Sequence, residues 1–165
     1  MSLTPEQNAT LKAFVEADQV LNAIPHTADG AFAIAAALAV DASPAFIVWR
    51  SSVSQDEIMQ NGFNWAEVDS LNVGQARIWE WLFDNQERTF NPSKPNVRQG
   101  IADCWKGNAA KLAVGVAVLV HCKRSANILE KLFATGTGSD ASPATMSVEG
   151  TISYNEVAQA MQWNV

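Results

Sequence analysis

Two apolar runs, residues 31–40 and 112–120, constrain this chain more than any other feature. Each suffices for about three helical turns and falls well short of the roughly 20 residues needed to cross a bilayer. Both therefore predict core helices. The first is dense in alanine (Ala31, Ala33, Ala35, Ala36, Ala37, Ala39), which favours helix and lets a neighbour approach closely. With 165 residues, 48% of them hydrophobic, the chain can offset the entropy of ordering, and a folded core is expected.

Local signals fill in the rest as mostly α. Thr4-Pro5-Glu6-Gln7 combines an N-cap hydroxyl, a proline at the first helical position and a glutamine three residues after the cap. Leu11, Phe14, Val15 and Leu21 follow at helical spacing, with Pro25 as the expected end. A second helix is expected from Thr27 or Asp29 through Phe32, Ile34 and Leu38, broken by Asp41-Ala42-Ser43-Pro44. Residues 46–49 read equally as a short strand or a buried helical turn. Acids at Asp56 and Glu57 mark another helix start, with Asn61-Gly62 as its end. Residues 63–70 read as a connection with one helical turn. The helix expected over 71–87 would bury Ile78, Trp81 and Leu82 and leave Trp79 on a separate aromatic surface.

After the rigid Asn91-Pro92-Ser93-Lys94-Pro95 segment, helices are expected over 96–106, stopped by Gly107, and over 109–122, capped by Asn108. Lys123-Arg124 would complement the end of that helix, with Ser125 capping a short continuation. Residues 135–143 carry no periodic apolar position and predict a mobile loop; 145–150 predict a short strand with Met146 and Val148 on one face. Ser153-Tyr154-Asn155-Glu156 opens a terminal helix. The expected architecture is a bundle of about six or seven helices over residues 1–134. A long Gly/Ser/Thr loop, a short strand or hairpin and a last helix, residues 135–165, would pack on the same domain.

The residues give no support to catalysis, a metal or a cofactor. Formal net charge is -6, from 17 acids and 11 bases, which opposes non-specific binding to DNA or an anionic membrane. Cys104 and Cys122 form no CxxC pair and read as buried free thiols of a reducing compartment. The opening MSLTPEQ has no basic segment followed by an apolar one, so no secretory leader is expected. Thr145, Ser147, Glu149, Gly150, Ile152 and Glu156 follow calcium-loop spacing, but Thr145 stands where a carboxylate should anchor the cation. That stretch reads as strand, turn and capped helix. His26 and His121, with two scattered cysteines, do not make a zinc set. Gly136-Thr137-Gly138 lacks the Lys-Ser/Thr of a phosphate loop. Arg98, Lys106, Lys111, Lys123 and Arg124 form a moderate basic group, suited to solvated helix faces or to an acidic partner surface.

Six strings along the chain carry a resemblance: MSLTPEQNATLKAFVEAD, DGAFAIAAAL, ASPAFIVWRSSV, ARIWEWLFDN, FNPSKPNVRQGIADCWKG and LFATGTGSDASPATMSVEGTISYNEV. Together they resemble a group of proteins encoded in tailed bacteriophages and prophages, nearly end to end. The resemblance implies a role in particle morphogenesis, in the virion assembled in the bacterial cytoplasm. Size and helix content then favour a head-to-tail adaptor, a ring subunit beneath the portal, with capsid or tail accessory proteins as the alternative. A small phage-encoded regulator or enzyme is a further alternative. The adaptor expectation implies a cyclic homo-oligomer touching portal and tail or neck proteins, with no membrane contact and no sequence-specific nucleic-acid binding. Its contacts are expected on the 135–150 loop and strand (Thr137, Ser139, Pro143, Met146 and Val148), since that strand shows no evident partner in its own chain. Trp79, Phe90, Lys94 and Arg98 are expected to extend the surface.

Overall fold

The computed structural model describes residues 3–60 and 63–164. In chain order the elements are α1 (Pro5–Ala17), α2 (Gln19–Asn22), α3 (Ala28–Leu38), β1 (Ile47–Trp49), β2 (Val53–Ser54), α4 (Gln55–Ile58), α5 (Ala66–Asp69) and α6 (Val73–Leu82). There follow β3 (Thr89–Phe90), α7 (Pro95–Cys104), α8 (Ala109–His121), β4 (Lys123–Ser125), α9 (Ile128–Leu132), β5 (Ala134–Thr135), β6 (Thr145–Met146) and α10 (Tyr154–Met161). Mostly-α is the class. Burial, however, divides between two hydrophobic clusters, where the sequence predicts a single bundle. One compact unit comprises Met1–Phe46 and Ser125–Val165, the other Ile47–Arg124. The division falls at 46/47 and 124/125, whereas composition suggests 134/135.

In the first unit, α1 begins as its sequence requires. Thr4 Oγ1 accepts the Gln7 N–H at 3.2 Å and Gln7 Oε1 accepts the Thr4 N–H at 2.9 Å. The helix stops well before Pro25. Asp18 Oδ1 accepts the Val20 and Leu21 N–H groups at 2.9 and 3.0 Å, diverting the backbone into a new start, α2. In α3, capped by Thr27, Ala31, Ile34, Ala35 and Leu38 make the buried stripe, while Phe32 stays 67% exposed. α10 packs against α1 and α3 through Val157, Ala158, Ala160 and Met161.

Two expectations about this unit's C-terminal half are corrected. Asn127, not Ser125, caps α9, because Asn127 Oδ1 accepts the Glu130 N–H at 2.8 Å. The 145–150 strand does have a partner in its own chain: β6 pairs antiparallel with β5, Ala134 opposite Met146 and Thr135 opposite Thr145. The hairpin loop passes over Phe46 at Gly138, where φ is +66° and a Cβ would stand 2.2 Å from ring carbons.

The second unit is organised by aromatic rings. Trp79 meets Trp105 edge-on at 5.1 Å and Phe83 at 5.0 Å, and Phe83 meets Phe90 at 5.3 Å. Phe63 stacks on Trp79 at 5.9 Å. This reverses the expectation for α6: Gln75, Trp79 and Phe83 form the fully buried row, Ile78 and Leu82 are half-buried, and Trp81 is 68% exposed. The helix itself ends at Leu82, short of the expected Glu87. Of residues 46–49, Ile47–Trp49 form strand β1, which lies beside β4. Lys123-Arg124 therefore continues as strand rather than finishing a helix, and the Arg50 N–H donates to Cys122 O at 2.9 Å. β2 pairs antiparallel with β3, Val53 opposite Phe90. Ser54 and Glu57 cap α4 reciprocally; the expected stop at Asn61-Gly62 lies outside the described residues. Among the described residues no helix is long and apolar enough to cross a membrane.

Candidate functional site

Two surface features of the second unit stand out, and each follows from local sequence. The first is the outward face of α8. Gly115 and Val118 turn inward with Val114, so the helix presents Leu112, Val116 and Val120 on its other side, 55%, 63% and 61% exposed. These positions repeat every four residues and so lie one above the other. All six exposed residues of α8 (Ala109, Ala110, Leu112, Ala113, Val116, Val120) are apolar. The one basic residue of its first turn, Lys111, is drawn sideways: its Nζ donates to Ser70 O at 2.8 Å and to Gln75 Oε1 at 3.3 Å.

The second feature is a cluster of cations around Trp49. The Arg98 guanidinium lies 4.6 Å from the ring centroid and the Lys123 ammonium 5.9 Å from it. Arg98 Nη1 also donates to the carbonyls of Pro92 and Ser93 at 2.7 and 2.9 Å, bracing the turn that precedes α7. Arg50 pairs with Glu57 at 2.7 Å and donates to His121 O at 3.2 Å. The Ser54 backbone N–H and Arg50 together hold the Glu57 carboxyl below its ordinary range. Desolvation lowers Arg98.

These cations reach toward Cys122, yet burial wins at the sulfur. Desolvation pushes that thiol up to about 12 against the opposing pull of Arg50, Lys123 and Arg98. Its Sγ–H donates to Val118 O at 3.2 Å. Cys104, equally buried, is also pushed up to about 12. Neither thiol has the thiolate character a nucleophile requires. Among the described residues no group of three or more His, Cys, Asp or Glu is placed to hold a metal ion. In the calcium-like stretch the Gly150 N–H is bonded to Glu130 and Ser153 is capped by Glu156, which leaves it as turn and helix start.

The residues expected to form an interaction surface are not brought together. Trp79 and Phe90 are each 6% exposed within the aromatic core and present no surface to a partner. Lys94 is exposed at the start of α7, and Arg98 is half-buried on Trp49. The remaining five lie in the first unit. Thr137 and Ser139 are exposed but bonded within their own loop, Thr137 Oγ1 to Ser142 O at 2.9 Å and the Ser142 N–H to Ser139 Oγ at 3.0 Å. Pro143 and Met146 are half-buried, and Val148 is 3% exposed in the core. Sequence reasoning missed Leu112, Val116, Val120 and Trp81. A helix that is apolar all round carries no periodic contrast to say which side faces out. No protein-family model, no curated protein and no solved structure matches this chain.

Proposed function

We propose that the chain is a structural subunit of a tailed-phage particle that works by assembling with copies of itself and with neighbouring particle proteins, as a head-to-tail adaptor ring beneath the portal would. The observation that carries this reading is the α8 face. Leu112, Val116 and Val120 stay in water along a little over two turns, and every exposed residue of α8 itself is apolar. A helix face of a free-standing monomer ordinarily carries charge there, and a contiguous apolar face marks a protein contact. Phe32 and Trp81, 67% and 68% exposed, add anchors of the kind that dominate interfaces. The resemblance to phage morphogenesis proteins supports a role in the particle, and size and helix content favour the adaptor station within it. Repeating one such contact head to tail closes a ring when the rotation allows.

The test is to measure the mass of the purified protein in solution and locate it in intact particles by imaging. A closed oligomer of fixed copy number, found between portal and tail, is the expected result. Copies on the capsid shell or along the tail would transfer the function to an accessory protein. A monomer absent from particles would overturn the structural reading.

A further inference from the structure

One cavity in the first unit combines apolar walls with two charges of opposite sign. It is open to solvent and has a volume of about 580 Å³, within the range of small-molecule sites. Phe14 of α1, Val40 just after α3, and Ile128 and Leu132 of α9 give it apolar walls. Its two charged lining residues have opposite sign, Asp41 and Lys131. Both are exposed, and among the described residues neither stands within ion-pair distance of an opposite charge. The Lys131 ammonium instead sits 5.7 Å from the Phe46 ring.

The two charges are carried on backbone that is tied together. Asp41 bridges antiparallel to Asn127, with the Ala42 N–H donating to Ala126 O at 3.0 Å and the Ile128 N–H to Val40 O at 2.9 Å. Lys131 is one helical turn beyond Asn127, its N–H on Asn127 O at 3.0 Å. Asp41 and Lys131 thus line one largely apolar cavity without pairing with each other. Such an arrangement is complementary to a molecule that carries an ammonium, a carboxylate and an apolar body.

We propose that this cavity binds an amphipathic zwitterion, of which a free aromatic or branched α-amino acid is the simplest form. Lys131 Nζ takes the ligand's carboxylate, Asp41 its ammonium, and Phe14, Ile128 and Leu132 its side chain. The inference goes beyond the assembly reading and stands independently of it.

The full chain would be titrated with L-phenylalanine and followed by amide chemical shifts, with 3-phenylpropanoate and 2-phenylethylamine as analogues lacking one charge. Shifts confined to residues 40–43 and 128–132 are expected. Each analogue should bind about fivefold more weakly than the amino acid, the scale of one exposed ion pair. D41N should weaken L-phenylalanine and leave 3-phenylpropanoate unchanged; K131Q should weaken L-phenylalanine and leave 2-phenylethylamine unchanged. Both substituted side chains are exposed, so the variants should fold. No shifts at millimolar L-phenylalanine would overturn the proposal. Equal binding of all three compounds would also do so, since it would reduce the cavity to an apolar cleft.

Discussion

Glu130 and Gly150, 20 residues apart, are joined through the Glu130 Oε1, which accepts the Gly150 N–H at 2.8 Å. The same side chain takes the Asn127 N–H on Oε2 at 3.1 Å, and Asn127 Nδ2 donates to Gly150 O at 2.9 Å. Both backbone polar groups of Gly150, at φ +93°, are thus satisfied from the first turn of α9. Glu130 is only 1% exposed. Removing it leaves two half-buried N–H groups and one arm of the capping box without their acceptor, so Glu130→Ala should cost about 1–3 kcal/mol. Urea unfolding reads this directly, and a loss within about 0.5 kcal/mol, as for an ordinary surface change, would show the link to be dispensable.

The two tryptophans of α6 should part sharply. Trp79 is locked among Phe63, Phe83 and Trp105, and Trp79→Ala is expected to destabilise by about 3–5 kcal/mol. Trp81→Ala should fall within about 0.5 kcal/mol for the isolated chain. Thermal melts of the two variants side by side check the assignment of faces, and equal losses would refute it.

Charge placed on the α8 face should separate folding from assembly. Val116→Asp puts a carboxylate at a position 63% exposed in the free subunit, so the helical circular dichroism should be retained. An interface built there would have to desolvate that charge, and oligomers should be lost in sedimentation. An unchanged oligomer would remove α8 from the contact.

Alkaline pH should weaken the fold through the buried thiols. Cys104 and Cys122, each pushed up to about 12 from an ordinary value of 9.0, keep their protons in the native state while the unfolded chain loses them. Stability from this source is complete below pH 9 and declines as pH rises toward 12, by at most about 1.4 kcal/mol per pH unit for each thiol. Cys122→Ala should flatten that alkaline limb. In the unmodified protein, iodoacetamide at pH 8 should label neither cysteine until urea opens the fold.

Much of the local structure was legible because capping is a matter of neighbouring residues. The starts at Thr4, Ser54, Asn108 and Ser153 follow from a side-chain oxygen near the backbone N–H three residues on. The end of α1 was not: Pro25 marked the expected stop, whereas the Asp18 carboxylate caps α2 seven residues earlier. The candidate site was legible only in part: Arg98 and Lys123 belong to a basic group in the sequence, but their convergence on Trp49 joins segments far apart in the chain.

The helical class, the principal helix starts and the burial of the thiols could be read from the chain alone, because these rest on short-range hydrogen bonds and on apolar content. Packing was needed to split burial between two units, to put Lys123-Arg124 in a strand, to turn Trp79 in and Trp81 out, and to leave Leu112, Val116 and Val120 of α8 in water. Each of those outcomes depends on a partner distant in the chain. Local pattern fixes how a segment curls, and the partner fixes which side of it is covered.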